Sequence, residues 1–243
     1  MRIALCLYGE PRDIDKSYPM YKQHLIDPNG IEDVFCHLWH NNQDIGKLYN
    51  ETRTDGSHLR KDGIRTGELI VPNLFVRAET PSLVYQLYNP KICQIEQKYI
   101  WKAEDFGRPE YTCQDVIPAT QSMLYSVASV FGLMQSYETQ MKFKYDAVIM
   151  CRPDLILKED IAYHNRNLNV FHCINECSHV GGINYWFGLS NRDNMMKYAS
   201  LFYNMRTVFN QGHKFIPEII VGQWLDMNQI PISTNIRSYG VLR

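Results

Sequence analysis

Five consecutive apolar residues, Ala147 to Cys151, stop abruptly at Arg152-Pro153-Asp154, and apolar residues resume with Leu155, Ile156 and Leu157. A run this short and this apolar reads as a buried strand. It follows directly on the clearest helical stretch, residues 120–141. There Met123, Val127, Val130, Met134, Tyr137 and Met141 recur at alternating spacings of four and three, which is one buried stripe. The rest of the chain repeats this alternation. Residues 2–7, 33–38, 69–71, 91–97, 168–173 and 183–189 read as strands. Residues 17–26, 83–87, about 192–209 and a segment starting at Pro217 read as helices, Pro217 suiting a first helical position. Residues 230–243 read as a last strand or tail. Strands alternating with helices predict an α/β fold. Residues 43–68 are polar and non-periodic and read as a surface excursion, and residues 106–118 read as loop. No linker and no repeat divides the chain, so residues 1–243 are expected to form a single domain.

Composition narrows the partners. With 45% hydrophobic and 21% charged residues the chain is globular rather than disordered. A net charge of −1 lacks the basic excess of nucleic-acid-binding domains, so no nucleic acid is expected. The longest apolar runs fall far short of the ~20 residues that span a bilayer. Residues 3–7 are also shorter than a signal-peptide core, and the expected location is the cytosol. Seven cysteines make an odd count, and Cys6, Cys36 and Cys151 lie in apolar runs. They read as small buried hydrophobes in a reducing compartment.

Ligands of open α/β sheets bind beyond the carboxyl ends of the strands. Two polar segments, Gly9-Glu10-Pro11-Arg12 and Arg152-Pro153-Asp154, lie at such ends. Asp154 there could hold Mg²⁺ or Mn²⁺ bridging a diphosphate, and Arg152 could bond a phosphate or a sugar hydroxyl. The alternative is a turn that Pro153 punctuates and Asp154 caps. Gly9 permits close backbone approach and Arg12 offers a planar fork for phosphate; the alternative is a surface turn. No GxGxxG fingerprint is present. His37 and His40 could bond a base or ribose while Trp39 stacks, or all three could be core. Gln121 and Tyr125 lie four apart, opposite the Met123 stripe, and face either a crevice or solvent. Glu218, just after Pro217, is either a general base or positioning group or a carboxylate favoured by the helix dipole. His172, Cys173, Cys177 and His179 crowd four potential zinc ligands into eight residues, too tightly for easy tetrahedral wrapping. Tyr185, Trp186 and Phe187 are core, or one of them stacks on a sugar ring.

The order of these segments resembles a family of GT-A-type glycosyltransferases of bacterial polysaccharide clusters and large DNA viruses. The resemblance lies in ALCLYGEPR (residues 4–12), DVFCHLW (33–39), QSMLYS (121–126), the KYD strand ending in Arg152-Pro153-Asp154, Trp186-Phe187-Gly188 and Pro217-Glu218. It spans most of the chain; six modest motifs stand in the family's order. It implies a GT-A-like (Rossmann-like) αβα sandwich with a central, mostly parallel sheet. It implies transfer of a sugar from a nucleotide-diphosphate sugar, a UDP-sugar, to a hydroxyl of a glycan acceptor. Arg152-Pro153-Asp154 would stand where such enzymes carry D-x-D, making Asp154 the ligand of Mn²⁺ or Mg²⁺. Gly9, Arg12, His37, Trp39, Gln121, Tyr125, Arg152 and Trp186 would bind substrate and Glu218 would act on the acceptor. The pattern departs at Arg152, which replaces the first acid. A nucleotidyltransferase and a non-catalytic nucleotide- or glycan-binding module are the alternatives.

Overall fold

The computed structural model describes residues 1–42, 45, 64–66, 69–71, 77–97, 116–175, 182–210 and 216–241. In chain order, β1 (Ile3–Gly9) leads to α1 (Ile14–Tyr21), which continues through a π-helical turn, Lys22–Ile26, into α2 (Asp27–Asn29). Next come β2 (Asp33–Trp39), β3 (Ile64–Thr66), β4 (Leu69–Val71), α3 (Thr80–Tyr88), β5 (Ile92–Glu96) and the long α4 (Val116–Met141). The remainder is β6 (Ala147–Cys151), β7 (Leu155–Leu157), β8 (Phe171–Ile174), β9 (Phe187–Asn191), α5 (Arg192–Ala199), α6 (Leu201–Phe209), α7 (Pro217–Met227), β10 (Ile232–Ile236) and β11 (Ser238–Val241).

Seven strands form one sheet in the order β10-β8-β9-β6-β1-β2-β5. Every neighbouring pair is parallel except the two that involve β9. Both faces are covered, as buried parallel strands require. One apolar cluster joins the sheet to α4, α5, α6 and α7, and the other joins it to α1, α3 and β7. The central strands therefore bury nearly every residue, which is why they read as unbroken apolar runs rather than alternations. The chain builds outward from β1 to β2 and β5, then crosses back and lays β6 on the other side of β1. Strand order thus reverses between β1 and β6, and such reversals open a crevice at the carboxyl ends of the two strands. Among the described residues no helix is long and apolar enough to cross a membrane.

Several boundaries differ from the sequence reading, each for a local reason. The first helix starts at Ile14 and its π turn carries it beyond residue 26. Helix α4 starts at Val116, inside the stretch read as loop; Pro118 falls in its first turn, where a missing N–H is harmless. Its buried side is broader than the methionine stripe and includes Leu124 and Phe131, while Met141 is 51% exposed. Residues 192–209 are two helices, because the Ser200 hydroxyl takes the Lys197 carbonyl and Asn204 takes that of Ser200. Residues 183–186 are not strand: Asn184 Oδ1 accepts the Trp186 N–H at 2.8 Å and delays β9 until Phe187. Strand β8 likewise begins only at Phe171, since the Leu168 and Val170 carbonyls face the Ser190 hydroxyl. Strand β7 leaves the main sheet and pairs with β11.

The excursion at residues 43–68, save Ile45 and β3, and residues 106–115 lie outside the described residues, as do the zinc candidates Cys177 and His179. Cys6, Cys36, Cys151 and Cys173 are buried free thiols and Cys93 is a half-buried one.

Candidate functional site

The crevice between β1 and β6 is built from the backbone outward. At the end of β6 the Arg152 N–H donates to the Trp186 carbonyl at 2.9 Å. The Tyr21 hydroxyl of α1 donates to the Arg152 carbonyl. The Ser17 hydroxyl donates to the Pro153 carbonyl at 2.6 Å. Pro153 has no N–H to place. The backbone polar groups of Arg152 and Pro153 thus have their partners or need none, and Asp154 is buried beside them. Burial pushes the Tyr21 and Tyr8 hydroxyls well above the usual phenol value, so both stay protonated donors. Tyr8 donates to the Tyr185 carbonyl and ties the segment before β9 to β1.

Asp154 is 0% exposed. Arg152 grips both of its oxygens, Nε to Oδ1 at 2.9 Å and Nη2 to Oδ2 at 2.6 Å. That is the bidentate fork in which arginine binds carboxylates and phosphates alike. From the turn after β1, Arg12 brings Nη1 to 3.8 Å from Oδ2 of Asp154 and pairs with Glu10. The Arg152 guanidinium carbon stands 5.8 Å over the Trp186 ring, within cation–π reach. Gly9 turns the chain here with φ +100, a backbone that a side chain would strain.

The remaining candidates form a second cluster joined to the first by one hydroxyl. Ser126 of α4 accepts the Gly9 N–H at 3.0 Å, donates to the His37 carbonyl at 2.9 Å and lies 2.8 Å from His37 Nδ1. His37 Nε2 is 3.3 Å from Glu96, and burial lowers the His37 pKa while Glu96 acts against that shift. Trp39 is buried, donates Nε1–H to the Ser122 carbonyl and stacks on Tyr125 at 5.5 Å and 27°. His37 and Trp39 thus sit as packed core. Tyr125 closes that cluster against Phe202. One turn before Tyr125, Gln121 is 2% exposed and its Oε1 has no hydrogen-bond partner among the described residues.

Glu218 stands half-buried in the first turn of α7 and is tied to the crevice through its backbone. Its carbonyl accepts the Ile183 N–H at 3.1 Å. Gly182 packs so closely there that a Cβ would come 2.5 Å from the Glu218 carbonyl carbon. The structure therefore gathers Gly9, Arg12, Arg152, Asp154 and Trp186 at one point, sets His37, Trp39 and Tyr125 behind it, and hangs Glu218 from the segment that carries Trp186.

No family model matches the chain, and no curated protein matches it. A divalent cation at Asp154 does not fit this arrangement. Both carboxylate oxygens are taken by Arg152, a second guanidinium stands beside them, and a metal would meet two cations. Among the described residues no group of three or more His, Cys, Asp or Glu is disposed to hold a metal. Sequence reasoning passed over Ser17, Tyr21 and Ser126. Ser126 carried the best signal, as the last residue of QSMLYS and one turn after Ser122.

Proposed function

We propose that the chain is a glycosyltransferase that moves a sugar from a nucleotide-diphosphate donor, a UDP-sugar, to a hydroxyl of a glycan acceptor. The observation that supports it is the convergence of Arg12 and Arg152 on one point at the strand-order reversal between β1 and β6. That crevice is where open α/β sheets seat phosphorylated ligands, and two guanidinium forks suit a diphosphate.

In this reading Arg12 and Arg152 offset the charge that develops on the leaving diphosphate. Both guanidiniums exchange their carboxylate partners, Asp154 and Glu10, for phosphate oxygens as the donor binds. Gly9 lets the backbone come close to the phosphates. Trp186 flanks the sugar. The buried Gln121 oxygen accepts a donor hydroxyl and so gains the partner it lacks. Glu218 holds or deprotonates the acceptor hydroxyl.

The test is a panel of nucleotide sugars with mixed glycan acceptors, read by product and run with and without EDTA. Release of free nucleoside diphosphate supports the proposal. Release of pyrophosphate makes the protein a nucleotidyltransferase, and binding without turnover makes it a ligand-binding module.

A further inference from the structure

Two thiols meet where β2 runs beside β5. The register partner of Cys36 in β2 is Cys93 in β5. Both lie on the sheet face covered by α1 and α3, Cys36 within its apolar cluster and Cys93 packed against it. Cys36 is 0% exposed, and its S–H donates to the Cys93 sulfur. Cys93 is half-buried, on a strand that forms one edge of the sheet. Every residue of that strand is half-buried in the same way.

The other described cysteines stand apart from this pair. Cys151 is in the same row across the sheet, but Leu7 of β1 lies between it and Cys36. Cys6 and Cys173 face the opposite side, in the cluster under α4. Nor does the pair belong to a larger ligand set. Among the described residues no group of three or more His, Cys, Asp or Glu is disposed to hold a metal. What two adjoining thiols supply is a pair of electrons.

The two sulfurs differ in kind. Donation from Cys36 lowers the Cys93 pKa against the effect of burial, and the Tyr85 hydroxyl is a second donor to it. Tyr85 stands on α3, and its hydroxyl lies 3.5 Å from the Cys93 carbonyl. Charge on Cys93 raises the Tyr85 pKa, so that hydroxyl stays protonated. Burial holds Cys36 as a thiol. A reachable thiolate beside a buried thiol suits an attacking cysteine and its resolving partner. Neighbouring strands lie ~4.7–4.9 Å apart, which sets paired Cα atoms inside the ~4.4–6.8 Å range of disulfides. The Cβ atoms of a bridge stand closer, at about 3.5–4.5 Å, so β5 must lean toward β2. As an edge strand it has β2 as its one neighbour in the sheet. A bridge closed by such leaning is strained and easily reduced.

We propose that Cys36 and Cys93 form a reversible dithiol–disulfide site that hydroperoxides oxidise. The Cys93 thiolate attacks the terminal peroxide oxygen and the O–O bond breaks. The other oxygen takes a proton from solvent and leaves as an alcohol, or as water where the oxidant is hydrogen peroxide. Cys93 is then a sulfenic acid. The Cys36 sulfur attacks it, the S–O bond breaks, and the hydroxyl leaves as water with the Cys36 proton. The two sulfurs lose two electrons and the peroxide gains them. A small dithiol reverses the bridge by exchange. The inference does not depend on the reading of the Arg12–Arg152 crevice.

The experiment treats the folded chain with hydrogen peroxide, with glutathione oxidised in a parallel tube as the measure of dose. Remaining thiols are alkylated and the digest is read by mass spectrometry. A Cys36–Cys93 linked peptide forms, and dithiothreitol removes it. It forms more slowly in urea, where the strands no longer hold the sulfurs together. In Cys36→Ala, dimedone captures a sulfenic acid on Cys93. In Cys93→Ala, Cys36 stays a thiol. The proposal is overturned if both cysteines remain thiols at the dose that oxidises glutathione, or if Cys36 pairs with a different cysteine. It is also overturned if the bridge forms as fast in urea as in the folded chain, a comparison that needs no variant, or if Cys36 is oxidised in Cys93→Ala.

Discussion

Replacing Asp154 by Asn separates two accounts of the crevice. In the structure Asp154 is the buried counter-ion of Arg152, with Arg12 standing 3.8 Å away. Hydrogen bonds to charged groups contribute about 1.5–3 kcal/mol each, and removing one partner of a buried pair costs about 3–5 kcal/mol. Asn keeps the shape and one acceptor oxygen, so the expected loss is at the low end, about 2–3 kcal/mol. Against a total stability of about 5–15 kcal/mol the variant still folds. With a urea slope of about 2–3 kcal/mol/M, its unfolding midpoint falls by about 1 M. Binding should respond differently. The substitution frees Arg12 and Arg152 of a competing carboxylate, so UDP affinity in EDTA, measured by calorimetry, is held or improved. The reasoning fails if wild-type UDP binding disappears in EDTA, returns with Mn²⁺ and is absent from the variant. Asp154 would then carry a metal. An unmoved urea midpoint would refute its role as counter-ion.

Arg12→Ala should weaken UDP about tenfold or more and uridine hardly at all, because its fork addresses phosphate; equal weakening of both ligands points to a folding role instead. Glu218→Gln should lower transfer to the acceptor about 10²-fold with donor affinity unchanged, which steady-state kinetics and a donor titration will separate. Gly182→Ala drives a methyl group into the Glu218 backbone and should cost about 1–3 kcal/mol, seen as a lower thermal midpoint. Burial depresses the pKa of folded His37 and His40, whereas the unfolded chain takes up their protons near about pH 6.5. The stability they contribute is therefore full above that pH and is lost as pH falls toward the folded values. Thermal midpoints from pH 7.5 to 5.5 should decline, and less steeply in His37→Gln.

The parts of this fold legible in the sequence were those written locally. Ala147–Cys151 and the first strand announced themselves as apolar runs because both faces of the sheet are covered. Pro217 marked the start of α7 to the residue. Arg152-Pro153-Asp154 and Gly9–Arg12 were legible as strand-end segments, which placed the crevice. What Asp154 binds was not legible. Its fork comes from a residue two positions away across a proline, and the carbonyls that aim it are held by Ser17 and Tyr21, over 130 residues earlier. His37 and Trp39 read equally well as ligand groups or as core. Only the packing of α4 against β2, with Ser122 and Ser126 taking their polar atoms, decided for the core. The reversed direction of β9 left no trace in its apolar pattern, because a strand buried on both faces looks the same read either way.

That reversed strand has a consequence for how such a crevice can change over time. The parallel strands β1 and β6 meet the crevice at their carboxyl ends, and the short segments leaving them run directly into α1 and β7. Strand β9 meets it at its amino end, so the segment that places Trp186 over Arg152 is an arriving loop, anchored at Gly182 and at Asn184. Its length can drift without re-registering a strand or re-seating a helix. A lineage carrying this sheet can therefore recut the rim around the two arginines through this segment, while the charge pair beneath it stays as it is.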